Sequence, residues 1–199
     1  MSDRTIALIM GVLLLAGILW VSWKSNILRD TSQSPRPPFS FSRTQLMWWT
    51  SIVAFCFLAY FGTHGELPPV TASCLAVLGI GVGTTGTAWI IDDQQRATAT
   101  RAGLGLHRDR PSVGFFTDLL SDADGLSVHR FQALVFNVIF GVSFLVHFVW
   151  HGFEFPAYGV MEYAVLGLSS AGYLGLKALE QGDETAAVTA KTAGEGAAP

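Results

Sequence analysis

Charged side chains are scarce in this sequence: Asp, Glu, Lys and Arg make up 14% of its 199 residues, and the formal net charge is -3. A soluble domain carries about 25% charged residues, so an ordinary water-exposed surface is excluded for most of the chain. No nucleic-acid partner is expected. Cysteine is nearly absent too. Cys56 and Cys74 both lie in apolar runs, where packing as small apolar residues is favoured and a disulfide stays open. Catalytic constellations are missing: there is no nucleophile beside a base, no phosphate-cradling or dinucleotide glycine loop, and no Cys/His metal spacing. Asp122-Ala123-Asp124-Gly125 has the look of a partial calcium loop. In that frame the first ligand would be Leu120 and the last Phe131, so the motif fails. Neither enzyme activity nor a cofactor is expected.

What the chain has is apolar length. Hydrophobic residues are 50% of it, and the mean hydropathy is +0.42. A hydrocarbon layer about 30 Å thick needs about 20 largely apolar residues per helix. Five stretches answer to that, Ile6 to Trp23, Leu46 to Gly62, Val70 to Ile91, Phe131 to Trp150 and Tyr158 to Leu176. The fold class is therefore all-α, a polytopic membrane protein with five transmembrane helices.

Basic residues set the orientation. Lys24, Arg29, Arg36 and Arg43 follow the first span, Arg96, Arg101, Arg108, Arg110 and Arg130 fill the long loop, and Lys177 and Lys191 follow the last span. Starting outside puts all of them on the cytoplasmic side, as the positive-inside rule prefers. The N-terminus is thus expected outside and the C-terminus in the cytoplasm. Trp20, Trp23, Trp48, Trp49 and Trp89 would lie near the inner interface and Trp150 near the outer one. The first span has an apolar run too long for a signal peptide and no small-x-small site before Lys24, so it reads as an anchor.

A hairpin occurs twice. Arg43 and Gln45 open the first copy, which turns at His64-Gly65-Glu66-Leu67-Pro68 and returns through Ala76-Val77-Leu78-Gly79. Arg130 and Gln132 open the second, which turns at His151-Gly152-Phe153-Glu154-Phe155-Pro156 and returns through Ala164-Val165-Leu166-Gly167. The offset is about 87 residues and grows by one at Phe153, so register holds along the unit and an internal duplication follows. A hairpin holds two spans, so the copies enter from the same side as parallel repeats.

The organisation expected is a transmembrane anchor at 1–23, an extended proline-rich cytoplasmic linker at 24–42, hairpin repeats at 43–92 and 130–180, a cytoplasmic loop at 93–129, and a disordered tail at 181–199. Residues 92–110 read as a helical extension or a loose loop. Beyond Pro111, the pattern Phe115, Phe116, Leu119, Leu120 reads as a short amphipathic helix on the membrane surface, and Asp122 to Gly125 as a turn.

The second copy, from Asp118 through Asp122-Ala123-Asp124-Gly125-Leu126-Ser127-Val128-His129-Arg130-Phe131-Gln132 to Leu166-Gly167-Leu168-Ser169-Ser170-Ala171-Gly172-Tyr173-Leu174-Gly175-Leu176-Lys177, resembles a widespread set of uncharacterised bacterial integral membrane proteins. Ser42-Arg43-Thr44-Gln45 and Leu78-Gly79-Ile80-Gly81-Val82-Gly83-Thr84 resemble the companion half of the same proteins. The chain departs from them at Ala171-Gly172, where a Gly-Thr pair like Gly83-Thr84 is expected. The resemblance implies the bacterial inner membrane and the repeated-hairpin fold, and it brings no reaction.

Candidate site residues fall into three groups. Gly79 with Gly83, and Gly167 with Ala171, are small residues four apart that let helices approach closely, either each other or another subunit. Thr84, Thr85, Thr87, Ser169 and Ser170 beside them either line a polar path or bond back to their own helices. Arg43 with Gln45, and Arg130 with Gln132, stand where spans leave the cytoplasm, as snorkelling anchors to lipid headgroups or as caps on neighbouring carbonyls. His64, Glu66, His151 and Glu154 in the outer turns have the chemistry for protons or a metal if the turns meet, and are otherwise interfacial polar turns. Asn137 and His147 inside the fourth span are functional candidates or helix-to-helix hydrogen-bond partners. Three functions fit: a non-enzymatic subunit that forms a homo-oligomer or docks a membrane-protein partner, a small ion or proton channel or transporter, and an envelope sensor.

Overall fold

The computed structural model describes residues 3–30, 32, 34–102, 111–122, 125–167 and 169–171. It is mainly helical: α1 (Asp3–Lys24), α2 (Phe41–His64), α3 (Ala72–Ala102), α4 (Phe115–Leu120) and α5 (Val128–Trp150). A shorter apolar helix, α6 (Val160–Ala171), follows. Two-residue strands β1 (Ser121–Asp122) and β2 (Gly125–Leu126) pair antiparallel between α4 and α5. By length and composition four helices are able to cross a membrane, within α1, α2, α3 and α5. Where the fifth span is expected, the described chain has only the shorter helix α6, and residues 172–180 of the second hairpin lie outside the described residues, as do 103–110, the turn residues 123 and 124, and the 181–199 tail.

Helix ends follow from local chemistry. α2 stops at Gly65, whose φ of 74° is the left-handed conformation glycine tolerates, and its N–H caps Phe61 O. Pro68 and Pro69 bar helix until Thr71, whose Oγ accepts from Cys74 N–H and so caps α3. At the start of α6, Glu162 reaches back to accept from Gly159 N–H. α3 continues past its apolar part at Ile91 to Ala102, so the helical-extension reading holds that far. At 1.5 Å per residue it projects about 16 Å beyond the span.

α2 is the central helix, packed against α1, α3 and α5. The main core joins Trp49, Ile52, Phe55 and Cys56 of α2 to Cys74 and Val77 of α3, Phe144 and Phe148 of α5, and Leu166 of α6. Cys56 and Cys74 are buried and free, so the packing reading of the cysteines holds. α1 lies on α2 through two glycines: a Cβ on Gly62 would be 2.8 Å from Ala7 Cβ, and one on Gly11 would be 2.6 Å from the Phe55 ring. A second, smaller core of Phe41, Ala88, Leu119 and Ala133 fastens α4 to the end of the bundle where the linker lies.

The linker is not the extended tether expected. Its ends meet in a bridge between Arg29 and Phe39, with Asp30 N–H donating to Pro38 O and Ser40 N–H to Leu28 O. The Arg29 guanidinium lies 4.2 Å from the centre of the Phe39 ring and donates to Pro37 O. Pro37 and Pro38 supply carbonyls without competing N–H groups, and the Arg29 guanidinium and the Asp30 N–H satisfy one each, which closes the loop.

Candidate functional site

At the linker end, Asp118 joins two segments far apart in sequence. Its carboxylate accepts from Phe39 N–H at 3.2 Å, from Val113 N–H at 3.1 Å and from the Ser112 hydroxyl at 2.5 Å. Ser112 N–H also donates to Arg36 O, and Phe115 packs edge-on to Phe39. Linker and α4 therefore form one cap over the bundle, held by charge-assisted hydrogen bonds. α4 buries Leu119 and leaves Phe116 exposed, which is the amphipathic division the sequence showed. Asp118 was missed because nothing in its neighbourhood announces a partner 79 residues away.

Just inside this end lies a buried polar cluster. Gln45 is 4% exposed, and its Nε2 donates to Ser170 Oγ of α6 at 3.0 Å. Its Oε1 is buried with no hydrogen-bond partner among the described residues. Thr84 of α3 is buried and donates to Ile80 O, Ser169 is buried and donates to Val165 O, and Thr85 donates to Ser42 O and Gly81 O. Gln132, at the duplicated position, is exposed, so the two Arg-x-Gln pairs differ in role. Gln45 reaches a hydroxyl rather than the carbonyls a cap would meet, while Arg43 and Arg130 are partly buried near the starts of α2 and α5.

Deeper in the bundle, Asn137 ties α5 to α2. Trp49 Nε1 donates to Asn137 Oδ1 at 2.8 Å, Trp48 Nε1 donates to Asn137 O at 3.0 Å, and Asn137 Nδ2 donates to Ala133 O. Trp48 and Trp49 thus turn into the protein rather than forming an interfacial belt, whereas Trp20, Trp23, Trp89 and Trp150 are exposed. Asn137 is thus a helix-to-helix hydrogen-bond partner. Gly141 makes room for the Trp48 indole and Ile52, since a Cβ there would come within 2.7 Å of both.

The outer turns are built alike. His64 stacks on Tyr60 one turn back, with centroids 4.0 Å apart, and its Nδ1 is 3.2 Å from Tyr60 O. His151 stacks on His147 at 4.1 Å, with Nδ1 3.0 Å from His147 O. Each imidazole therefore caps its own helix. Gly152 repeats the positive φ of Gly65, and Pro68 and Pro156 are both buried. The extra residue Phe153 has φ of 69° and is buried against Phe148. Phe155 carries the second turn over to Phe57 and Tyr60 of α2. Glu66 and Glu154 are exposed, and no group of three His, Cys, Asp or Glu able to hold a metal occurs among the described residues.

The small-residue pattern sorts by helix. Gly11, Gly62, Gly81 and Gly141 each have a neighbour at close range within the chain. Gly79, Gly83 and Gly167 have nothing within 4 Å of where a Cβ would be, and Ala171 is exposed. α3 and α6 therefore do not pack on each other through these residues, and the face of α3 bearing Gly79 and Gly83 points away from the chain, together with Leu75, Val82 and Ile90. No known protein family, curated protein or solved structure matches this chain.

Proposed function

We propose that the chain is a non-enzymatic subunit of a bacterial inner-membrane assembly, which joins copies of itself or a membrane-protein partner through the small-residue face of α3. The observation that carries this is the open space at Gly79 and Gly83. A glycine inside a helix costs about 1 kcal/mol relative to alanine, and the close-packed glycines of α1, α2 and α5 have a reason within the chain that these two lack. In lipid, a glycine face four residues apart lets a second helix approach to backbone contact. Five spans, with N-terminus out and C-terminus in the cytoplasm, place the Asp118 cap and Arg43 and Arg130 at the inner headgroup layer. The matched His-capped turns support the duplicated hairpin.

Cross-linking tests the interface. In a background with Cys56→Ala and Cys74→Ala, Gly83→Cys is expected to form an inter-subunit disulfide in the membrane, and Val138→Cys on the exposed side of α5 is not. Equal cross-linking at both positions, or none at Gly83→Cys, counts against the interface between copies.

The channel or transporter reading has one observation in its favour, the burial of Gln45, Thr84, Ser169 and Ser170 near one another at the linker end. The sensor reading has no comparable observation: Nδ1 of His64 and of His151 faces a carbonyl of its own helix, and no group of three His, Cys, Asp or Glu gathers around either among the described residues.

A further inference from the structure

Among the described residues, the polar cluster around Gln45 sends no donor to the Gln45 Oε1 atom, and the donors it has left are the Ser170 hydroxyl proton and the second Nε2 hydrogen of Gln45. Thr84, Thr85 and Ser169 have donated their only hydroxyl protons to backbone carbonyls, so what each has left is acceptor capacity. Ser170 Oγ already accepts from Gln45 Nε2. Gln45 Oε1, on a side chain 4% exposed, has no donor among the described residues. An amide oxygen taken out of water with nothing on it is destabilising, and an ordered water or an ion is a common partner for a buried polar atom that no protein group reaches.

These residues come from three helices at one depth. Gln45 of α2 bonds Ser170 of α6, a Cβ on Gly81 would lie 3.3 Å from Leu46, and Thr85 bonds Ser42 O, so Thr84 of α3 is within a helical turn of the same level. No carboxylate, lysine or arginine is among the buried residues described. Neutral oxygens with no carboxylate are a poor site for a divalent ion, which takes carboxylate ligands.

We propose that Gln45 Oε1, with the hydroxyl oxygens of Ser170 and Thr84, holds a small electropositive ligand: a water molecule or a monovalent cation entering from the linker end. Its hydrogen or its charge supplies what Gln45 Oε1 lacks. The site is separate from the α3 face and stands whether or not the chain oligomerises.

The test uses the full chain in lipid nanodiscs. Thermal unfolding is compared in NaCl, KCl and choline chloride at equal ionic strength, and water-edited solid-state NMR reads transfer from water to the Gln45 side-chain amide. If a cation is held, the protein unfolds about 3 °C higher in sodium or potassium than in choline, and Gln45→Met and Ser170→Ala lose the difference. If water is held, the salts are equivalent and the Gln45 amide receives water magnetisation at short mixing time. Equivalent salts with no transfer to Gln45 overturn the proposal, and so does a salt difference kept in both variants. The decisive readings are on the unaltered chain, so a variant that fails to fold leaves them standing.

Discussion

Replacing Gly141 with alanine tests the α2–α5 seam at its tightest point. The added Cβ would lie 2.5 Å from Trp48 Nε1, 2.6 Å from Trp48 Cζ2 and 2.7 Å from Ile52 Cδ1. The isoleucine methyl can turn aside, but the indole is rigid and is held by its hydrogen bond to Asn137 O. Overpacking of this kind costs about 1–3 kcal/mol, and loss of the indole bond adds about 1 kcal/mol. Alanine's better helix propensity returns about 1 kcal/mol. The net expectation is a destabilisation of about 1–3 kcal/mol, read as a shift in a reversible SDS-unfolding titration in bicelles, with Gly17→Ala in α1 as control because nothing lies within 4 Å of a Cβ there. A Gly141→Ala protein as stable as the Gly17→Ala control would refute the close approach of α5 to Trp48.

Three further outcomes follow from the same geometry. Asn137→Leu leaves the Trp49 indole N–H without its acceptor and is expected to cost about 1–3 kcal/mol; in a double-mutant cycle with Trp49→Phe the two losses should fall well short of additive, and strict additivity would contradict the bond. Asp118→Ala removes the acceptor shared by Phe39, Ser112 and Val113, so chymotrypsin should cut after Phe39 several-fold faster than in the unaltered protein; unchanged cleavage would show that the cap does not depend on Asp118. Gly62→Leu drives a side chain into the Ala7 backbone and should release α1 from α2, seen as loss of energy transfer between labels on the two helices, with α2 to α5 still folded.

Runs of apolar residues made the spans legible because a bilayer sets their length. Their ends were less so. α2 begins at Phe41 rather than at Leu46, since Ser42, Arg43, Thr44 and Gln45 continue the helix without being apolar. α3 runs on through Gln94 and Gln95 for the same reason. Small residues four apart showed that close packing was intended but not which partner was meant. Glycines 11, 62 and 141 meet partners far away in sequence, and no local period carries that information. The duplication suggested equal roles for Gln45 and Gln132, yet α1 covers only one hairpin, and the copies sit in different surroundings. The linker's fold was hidden because it rests on backbone hydrogen bonds and one arginine, which leave no trace in composition.

The central claim is that the open glycine face of α3 is a subunit interface. Native mass spectrometry of the chain extracted in mild detergent, beside a Gly79→Leu/Gly83→Leu variant, tests it most directly. The account predicts a defined assembly, of several copies or with a stoichiometric membrane partner, that falls to a folded monomer in the variant. A monomer from the outset, or an assembly of unchanged mass in the variant, would contradict it.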